Sequence, residues 1–136
     1  MLARDVMTRE VISVHPDDTV QQLTRVLTEA GISGAPVLDS EGKLVGIISE
    51  ADVISKRGHR VEDVMQRHVI SVPPDLSVSD VSCVLCHNRV NRVPVLEDGE
   101  LVGIITRADI VRAIAVGSLQ PDLTVPESAG SPAQSG

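Results

Sequence analysis

Residues 35–54 read APVLDSEGKLVGIISEADVI, and residues 93–111 read VPVLEDGELVGIITRADIV. The likeness extends outward from these two stretches, because Val6–Ser40 align with Val64–Asp98 without a gap. About half of all aligned pairs are identical. The alignment needs one gap, because the second repeat is one residue shorter between its two aligned stretches. The chain is therefore an internal duplication, and each repeat can be compared with the other.

Both repeats predict the same order of secondary structure. The apolar run VISV, at 11–14 and 69–72, predicts a short strand. An N-cap signal, Asp17-Asp18-Thr19 or Asp75-Leu76-Ser77, then precedes apolar residues at helical spacing. Two further apolar strands form a hairpin, and a second helix follows directly. The predicted fold class is α/β, with the unit β-α-β-β-α present twice. A repeat of about 50 residues has a marginal core, so we expect the two to pack sheet to sheet about a pseudo-twofold axis.

The pattern also predicts the boundaries along the chain. Repeat 1 is predicted at 3–58 and repeat 2 at 59–117, with residues 55–63 as the connection. Residues 118–136 are rich in Ser, Pro and Gly and lack periodicity. Such a composition predicts a disordered tail.

Composition restricts the classes of partner. The chain has 136 residues, a formal net charge of −7 and no Phe, Tyr or Trp. The negative charge disfavours nucleic acid and anionic membranes, and the lack of aromatic residues removes base stacking. No apolar run is long enough to span a membrane, and the first residues do not resemble a signal peptide. We expect a cytoplasmic protein with no nucleic-acid or membrane partner.

The strongest candidate site is the start of the second helix in each repeat. Thr106 and Asp109 recur as Ser49 and Asp52. Free N–H groups at a helix start favour a bound phosphate or carboxylate. The same Ser/Thr-x-x-Asp spacing is also a capping arrangement, and the two interpretations are compatible.

Three motifs together resemble the cystathionine-β-synthase (CBS) domain family. They are VMT-x-x-VISV, the PVLD and PVLE strands, and LVGII followed by Ser or Thr, two residues and Asp. The resemblance covers roughly residues 3–116 and implies a regulatory module rather than an enzyme. Members bind AMP, ADP, ATP or S-adenosylmethionine in clefts between two repeats, and they often form homodimers. The protein that this chain would regulate is not identified by the sequence.

The resemblance implies two ligand sites. In each, the Asp oxygens would accept hydrogen bonds from both ribose hydroxyls. Around Asp109 the site would include Thr8, Ile12, Ile32, Ser33, Gly34, Arg92, Ile104, Thr106 and Ala108. Around Asp52 it would include Ile47, Ser49, Ala51, Ile70, Val90 and Asn91. Arg92 would bind phosphate, although a solvated surface Arg is the alternative.

The Asp52 site departs from the pattern of the Asp109 site. Gln66 replaces Thr8, Gly34 replaces Arg92, and an acidic Glu50 stands where the other repeat has a basic residue. Fewer cations and one more anion predict weaker phosphate binding at Asp52.

Cys83, Cys86 and His87 form the string C-x-x-C-H, which matches the haem-attachment signature of c-type cytochromes. The string falls inside a predicted helix and no export signal precedes it, so we reject haem. A zinc site needs about four ligands, and only these three cluster. Redox-active thiols and a purely structural role remain open.

The sequence thus supports one leading function and two alternatives. The leading hypothesis is a sensor of an adenosine ligand that regulates another protein, and we expect a homodimer built from helical faces. The alternatives are a ligand-free dimerisation module, or a redox- or metal-responsive module acting through Cys83, Cys86 and His87. No G-x-S-x-G, P-loop or H-E-x-x-H string occurs, so no catalytic residue, metal site or further cofactor is predicted.

Overall fold

The computed structural model describes residues 1–116, so the predicted tail at 118–136 lies outside the described residues. Strands β1 and β2 form one two-stranded sheet, and β3 and β4 form another. This confirms a mixed α/β fold with small sheets. In chain order the elements are α1 (Ala3–Val6), α2 (Val20–Ala30), β1 (Gly34–Leu38), β2 (Leu44–Ser49), α3 (Glu50–Ser55), α4 (Val61–Val64), α5 (Val78–His87), β3 (Arg92–Glu97), β4 (Glu100–Thr106) and α6 (Arg107–Ala115).

The described residues divide into two compact units, which we name after the aspartate that each contains. Within the described residues, the Asp109 unit consists of Met1–Arg9, Ser71–Glu97 and 102–116. The Asp52 unit consists of Glu10–Ile70 and Asp98–Leu101. The first nine residues of the chain therefore belong to the unit that holds most of repeat 2.

Helices α2 and α5 begin at the predicted caps. Thr19 Oγ1 accepts a hydrogen bond from the Gln22 N–H at 3.0 Å, and Gln22 Oε1 accepts one from the Thr19 N–H at 2.8 Å. Ser77 caps α5 in a similar way. Each such cap stabilises its helix by about 1 kcal/mol. The predicted apolar stripe of α5 is confirmed, because Val78, Val81 and Leu85 are its buried residues. The stripe predicted for α2 is Val20, Leu23, Leu27 and Ala30. Leu23 and Leu27 are buried as predicted, whereas Val20 is half-buried and Ala30 is exposed.

The two hairpins differ in their turns. Between β1 and β2 the Asp39 carboxylate accepts hydrogen bonds from the Glu41 and Lys43 N–H groups, both at 2.9 Å. Between β3 and β4 the turn has only two residues, Asp98 and Gly99, with φ values of 53° and 82°. Two consecutive positive φ values are typical of a type I′ turn, which matches the twist of a hairpin. The one-residue deletion between the repeats therefore falls in a turn and leaves the strands intact.

The predicted strand VISV is wrong as an extended element, because only its last residue pairs in each repeat. Val14 forms a single parallel bridge to Val37, and Val72 forms one to Val95. The Val14 N–H donates to Pro36 O at 3.1 Å, and Val14 O accepts from the Leu38 N–H at 2.9 Å. Pairing cannot continue past this bridge. The residue two positions further on is a proline in each repeat, Pro16 or Pro74, and proline has no N–H to donate.

The predicted connection at 55–63 is shorter than the sequence suggested. Ser55 still belongs to α3, and Val61 already begins the four-residue helix α4. Helix α1 is its counterpart in the first repeat, at the aligned position. Helices this short carry too few residues to produce a periodic apolar pattern.

Each unit has its own aliphatic core, as the absence of aromatic residues requires. The core of the Asp52 unit contains Val14, Leu23, Leu27, Ala35, Val37, Ile48, Val61, Val64 and Met65. Buried residues of the Asp109 unit include Ala3, Val72, Val78, Val81, Leu85, Val93, Val95, Ile105, Ile110 and Ala113. Across residues 1–116 no helix has the length and hydropathy needed to cross a membrane.

Candidate functional site

The end of β4 and the start of α6 are joined by a complete capping box. The Asp109 N–H donates to Thr106 Oγ1 at 3.2 Å, and the Thr106 N–H donates to Asp109 Oδ2 at 2.9 Å. The Thr106 hydroxyl also donates to Oδ2, at 3.2 Å. The capping interpretation of the Thr-x-x-Asp motif is therefore confirmed, and it uses one of the two carboxylate oxygens.

The second carboxylate oxygen of Asp109 faces two groups that hold it less firmly. Thr8 Oγ1 donates to Oδ1 at 3.5 Å, which is long for a hydrogen bond. Arg112 Nη1 lies 3.0 Å from the same oxygen, but the Arg112 side chain is 67% exposed whereas that of Asp109 is only 6% exposed. A carboxylate offers about four lone-pair positions, so Oδ1 can accept further donors once Arg112 moves away.

Thr8 reaches Asp109 because the N-terminal segment pairs with β4. The Thr8 N–H donates to Ile104 O at 2.8 Å, and the Ile104 N–H donates to Thr8 O at 3.0 Å. Gly103 permits this approach, because a Cβ atom there would lie 2.5 Å from Met7 Sδ and 3.1 Å from Thr8 O. The hydroxyl of a residue early in repeat 1 is thus placed beside an aspartate late in repeat 2.

Two arginines lie on α6 itself, Arg107 at its start and Arg112 beside Asp109. The Arg107 N–H donates to Asn91 O at 3.0 Å, and Arg107 Nε donates to Val90 O at 3.3 Å. The helix start adds its own positive potential. Arg92 begins β3 and is half-buried, and its predicted place in the Asp109 site stays a prediction.

The same construction recurs at Asp52, with different partners. Ser49 forms the capping box, and the Ser49 N–H donates to Asp52 Oδ2 at 3.0 Å. Gln66, which aligns with Thr8, donates from Nε2 to Oδ1 at 3.3 Å. Lys56 Nζ lies 3.0 Å from Oδ1, and its side chain is less exposed than that of Arg112. Lys56 also donates to Val64 O at 3.1 Å, which anchors it over the carboxylate.

The partners of Asp52 change its titration. Burial is the largest single influence and raises the pKa of Asp52, but the hydrogen bonds from Lys56, Gln66 and Ser49 together outweigh it. The pKa of Asp52 is therefore held below its ordinary value of 3.8. Among residues 1–116, four donor groups surround Asp52 and four also surround Asp109. At Asp109 the Thr8 hydroxyl takes the place of the Gln66 amide, and Arg112 takes the place of Lys56.

The structure brings together only part of each predicted site. Thr8, Ile104, Thr106, Ala108 and Asp109 lie within the Asp109 unit, as do Val90, Asn91 and Arg92. Ser49, Asp52 and Ile70 lie in the Asp52 unit, as do Ile12, Ile32, Ser33 and Gly34. The Ser33 carbonyl accepts from the Glu50 N–H at 2.9 Å, at the start of the Asp52 helix. The assignment of Ile12, Ile32, Ser33 and Gly34 to Asp109, and of Val90 and Asn91 to Asp52, stays a prediction.

Sequence reasoning missed the two cations that bind the aspartates. Arg112 follows Asp109 by three residues, and Lys56 follows Asp52 by four. Residues at these spacings are neighbours on a helix surface, so the helical pattern already contained the signal. Sequence reasoning also missed the close approach of Met7 to Gly103 and of Met65 to Gly46. No pattern of neighbouring residues in the sequence indicates either approach.

The Cys-x-x-Cys-His string lies on α5 with both thiols exposed. Cys83 and Cys86 are free cysteines. Among residues 1–116, no three His, Cys, Asp or Glu side chains are grouped so as to hold a metal ion. A zinc site with three or four protein ligands is therefore not supported at Cys83, Cys86 and His87.

The fold and the repeated capping box define the class of protein. A family model described as the CBS domain matches the chain twice, at residues 3–59 and 61–116. The chain belongs to this family and is a tandem CBS-domain protein. The predicted resemblance is thereby confirmed over nearly all of the described residues.

This chain covers very different shares of two curated relatives. It is 41% identical over 113 residues to an inosine-5′-monophosphate dehydrogenase of Methanocaldococcus jannaschii, spanning 81% of this chain and 23% of that protein. It is 31% identical over 154 residues to an uncharacterised protein of the same organism, spanning 84% of this chain and 91% of that protein. The likeness to the dehydrogenase thus concerns less than a quarter of the enzyme.

Two solved structures resemble the whole described fold. CBSX2 of Arabidopsis thaliana, solved in complex with AMP, has a TM-score of 0.82 and 28% identity, covering 87% of this chain and 98% of that one. The CBS domain pair of protein MJ0100, solved with 5′-methylthioadenosine and S-adenosyl-L-methionine, has a TM-score of 0.81 and 29% identity, covering 86% and 98%. All three small molecules in these complexes contain an adenosine group.

Proposed function

We propose that this chain is a regulatory module, not an enzyme, that binds an adenosine-containing ligand at Asp109. One observation carries the proposal: Asp109 is buried at a helix start, and its Oδ1 accepts a long hydrogen bond from Thr8 and faces the exposed Arg112. The adenosine compounds bound by similar CBS pairs support the same chemistry. AMP, ADP, ATP and S-adenosylmethionine are the candidate ligands.

In this proposal the ribose diol takes the place of Arg112 on Asp109. The two hydroxyls donate to the carboxylate, and Thr8 and Thr106 supply further hydroxyl partners. Arg92, Arg107 or the displaced Arg112 then binds the phosphate or carboxylate of the ligand, since charge-assisted hydrogen bonds are the stronger ones. The adenine ring is held by aliphatic side chains such as Ile104, because the chain has no aromatic residue.

A ligand panel tests this function directly. We expect AMP, ADP, ATP or S-adenosylmethionine to raise the melting temperature, since a ligand of the native state adds to its stability. 2′-Deoxy-AMP should give a smaller rise than AMP, because it lacks one hydroxyl for Asp109. Ribose 5-phosphate controls for the sugar and phosphate without the adenine, and inorganic phosphate controls for the phosphate alone. Differential scanning fluorimetry is the measurement. A flat panel at millimolar concentrations would reject the proposal and leave Asp52 and Asp109 as helix caps.

We also propose that the chain forms a homodimer through its helices. Val111 on α6 is 63% exposed and Ile54, its counterpart on α3, is 85% exposed. Large apolar side chains at matching positions of the two repeats suit a twofold interface, in which one copy presents the same patch as the other. Ile114 is also exposed on α6.

Light scattering coupled to size-exclusion chromatography tests the dimer. We expect twice the chain mass at micromolar concentration, and the mass of one chain for Val111→Glu and for Ile54→Glu, because each buries a charge in the contact. A matched control is Arg25→Glu, which changes charge on an exposed part of α2. A chain ending at Gly117 should remain dimeric. A wild-type protein with the mass of one chain, with and without AMP, would contradict the proposal.

A further inference from the structure

The cysteine pair on α5 does not serve the core of the protein. The buried side of this helix is formed by Val78, Val81 and Leu85, whereas Cys83 and Cys86 are exposed. Cysteine is normally among the most buried residue types, so two exposed cysteines one turn apart on a single helix are unusual.

The duplication provides an internal comparison. Cys83 and Cys86 align with Arg25 and Thr28 of α2, and both of those residues are also exposed. His87 likewise aligns with an exposed residue, Glu29. The fold is thus satisfied by ordinary polar residues at these positions, so repeat 2 has acquired two thiols and an imidazole that the helix itself does not require.

Both thiols face the same space. One open surface depression is lined by Cys83, Val84, Cys86, His87 and Asn88. The first four of these residues belong to the last turns of α5, and Asn88 is its C-cap. The carbonyl end of a helix carries negative potential and favours a cation. This surface therefore combines two soft sulfur ligands with an electrostatic preference for positive charge.

Helical spacing decides between a disulfide and a bridging ion. Side chains three residues apart on a helix have Cβ atoms about 5–6 Å apart. A disulfide needs Cβ atoms about 3.5–4.5 Å apart, so closing one would require the last turns of α5 to unwind. An ion between two sulfur atoms spans a longer gap. Because no third ligand is grouped with them among the described residues, the ion must be one that accepts two-coordinate binding.

We propose that Cys83 and Cys86 bind one soft monovalent cation, of the copper(I) type, between their two sulfur atoms. Thiolates select soft cations of this kind. On binding, each thiol releases its proton to the solvent and one sulfur–metal bond forms at each sulfur; no electron is transferred. The site lies on α5, and it is independent of the nucleotide site proposed at Asp109.

Silver(I) is the probe, because it shares the preference of copper(I) for thiolate ligands and is stable in air. We expect the reduced full-length protein to bind one silver ion per chain by native mass spectrometry, and thiol titration to fall from two reactive groups to none. Cys83→Ser and Cys86→Ser should each abolish stoichiometric binding while leaving the unfolding midpoint nearly unchanged, since both side chains are exposed.

A matched control moves the two cysteines to the aligned positions of α2 in repeat 1. Arg25→Cys with Thr28→Cys, introduced into the Cys83→Ser, Cys86→Ser variant, should restore binding of one silver ion, because the helical spacing is the same. Silver bound equally by the single Ser variants, or only between two chains of a dimer, would overturn the proposal. An intrachain disulfide in the oxidised protein, with no silver bound by the reduced protein, would overturn it as well.

Discussion

Gly103→Val is expected to lower the free energy of unfolding by about 1–3 kcal/mol, the usual cost of overpacking, and to abolish tight binding of the adenosine ligand. A Cβ at this position would lie 2.5 Å from Met7 Sδ, 2.8 Å from Met7 Cγ and 3.1 Å from Thr8 O. Met7 can move its side chain, but Thr8 O is backbone and is already bonded to the Ile104 N–H. The substitution therefore pushes Thr8 away from Asp109.

Strand propensity makes this outcome diagnostic. Valine is favoured over glycine in a strand, within a scale that spans about 1 kcal/mol. Without the contact to Met7 and Thr8, Gly103→Val would stabilise β4. A loss of stability measured by urea unfolding therefore reports the steric contact rather than the backbone preference.

Gly46→Val is the matched control for Gly103→Val. A Cβ at Gly46 would lie 2.7 Å from Met65 Sδ and 2.9 Å from Gln66 O, so it should destabilise the fold by a similar amount. Only the Gly103 variant should also weaken AMP or S-adenosylmethionine binding strongly. Met7→Ala combined with Gly103→Ala should recover part of the stability lost in Gly103→Ala, because the sulfur contact is removed. Wild-type stability in Gly103→Ala and Gly103→Val would refute the argument.

The duplication made most elements predictable from sequence. Caps at Thr19 and Ser77, the apolar stripes of α2 and α5, and the two hairpins all arise from local patterns that occur twice. Local patterns also identified Thr106 and Asp109, because a helix start has a recognisable order of residue types. These features depend on neighbours within a few positions along the chain.

Features that depend on distant or very short contacts leave no local pattern in the sequence. The contact of Thr8 with Asp109 spans 101 positions, through a pairing that Gly103 permits by lacking a side chain, and only the family resemblance predicted it. No periodicity in Met1–Arg9 signals that this segment packs with repeat 2. The VISV strand was over-predicted for the opposite reason: its β-prone residues suggest a strand, but the following proline ends the pairing after one bridge.

That the two aspartate sites are unequal stays a prediction, which the sequence makes from the missing cations near Asp52. In the structure Oδ1 of each aspartate faces one neutral donor and one cation. The bond from Gln66 to Asp52 is shorter than the bond from Thr8 to Asp109, and Lys56 is less exposed than Arg112. A ligand at Asp52 would have to displace Lys56, which also donates to Val64 O.

We expect Asp109→Ala to weaken adenosine-ligand binding by about 1.5–3 kcal/mol, the range for hydrogen bonds to a charged group, which is roughly ten- to hundredfold in Kd. Asp52→Ala should change the affinity of the tighter site by much less, because Asp52 is not one of the residues that the proposal places at that site. Since alanine also removes a capping residue from α6, Asp109→Asn should be measured beside it. Isothermal titration calorimetry should resolve one tighter site per chain. Wild-type affinity in Asp109→Ala, or two indistinguishable sites each weakened equally by its own substitution, would show that Asp109 is only a helix cap or that the two aspartates are equivalent.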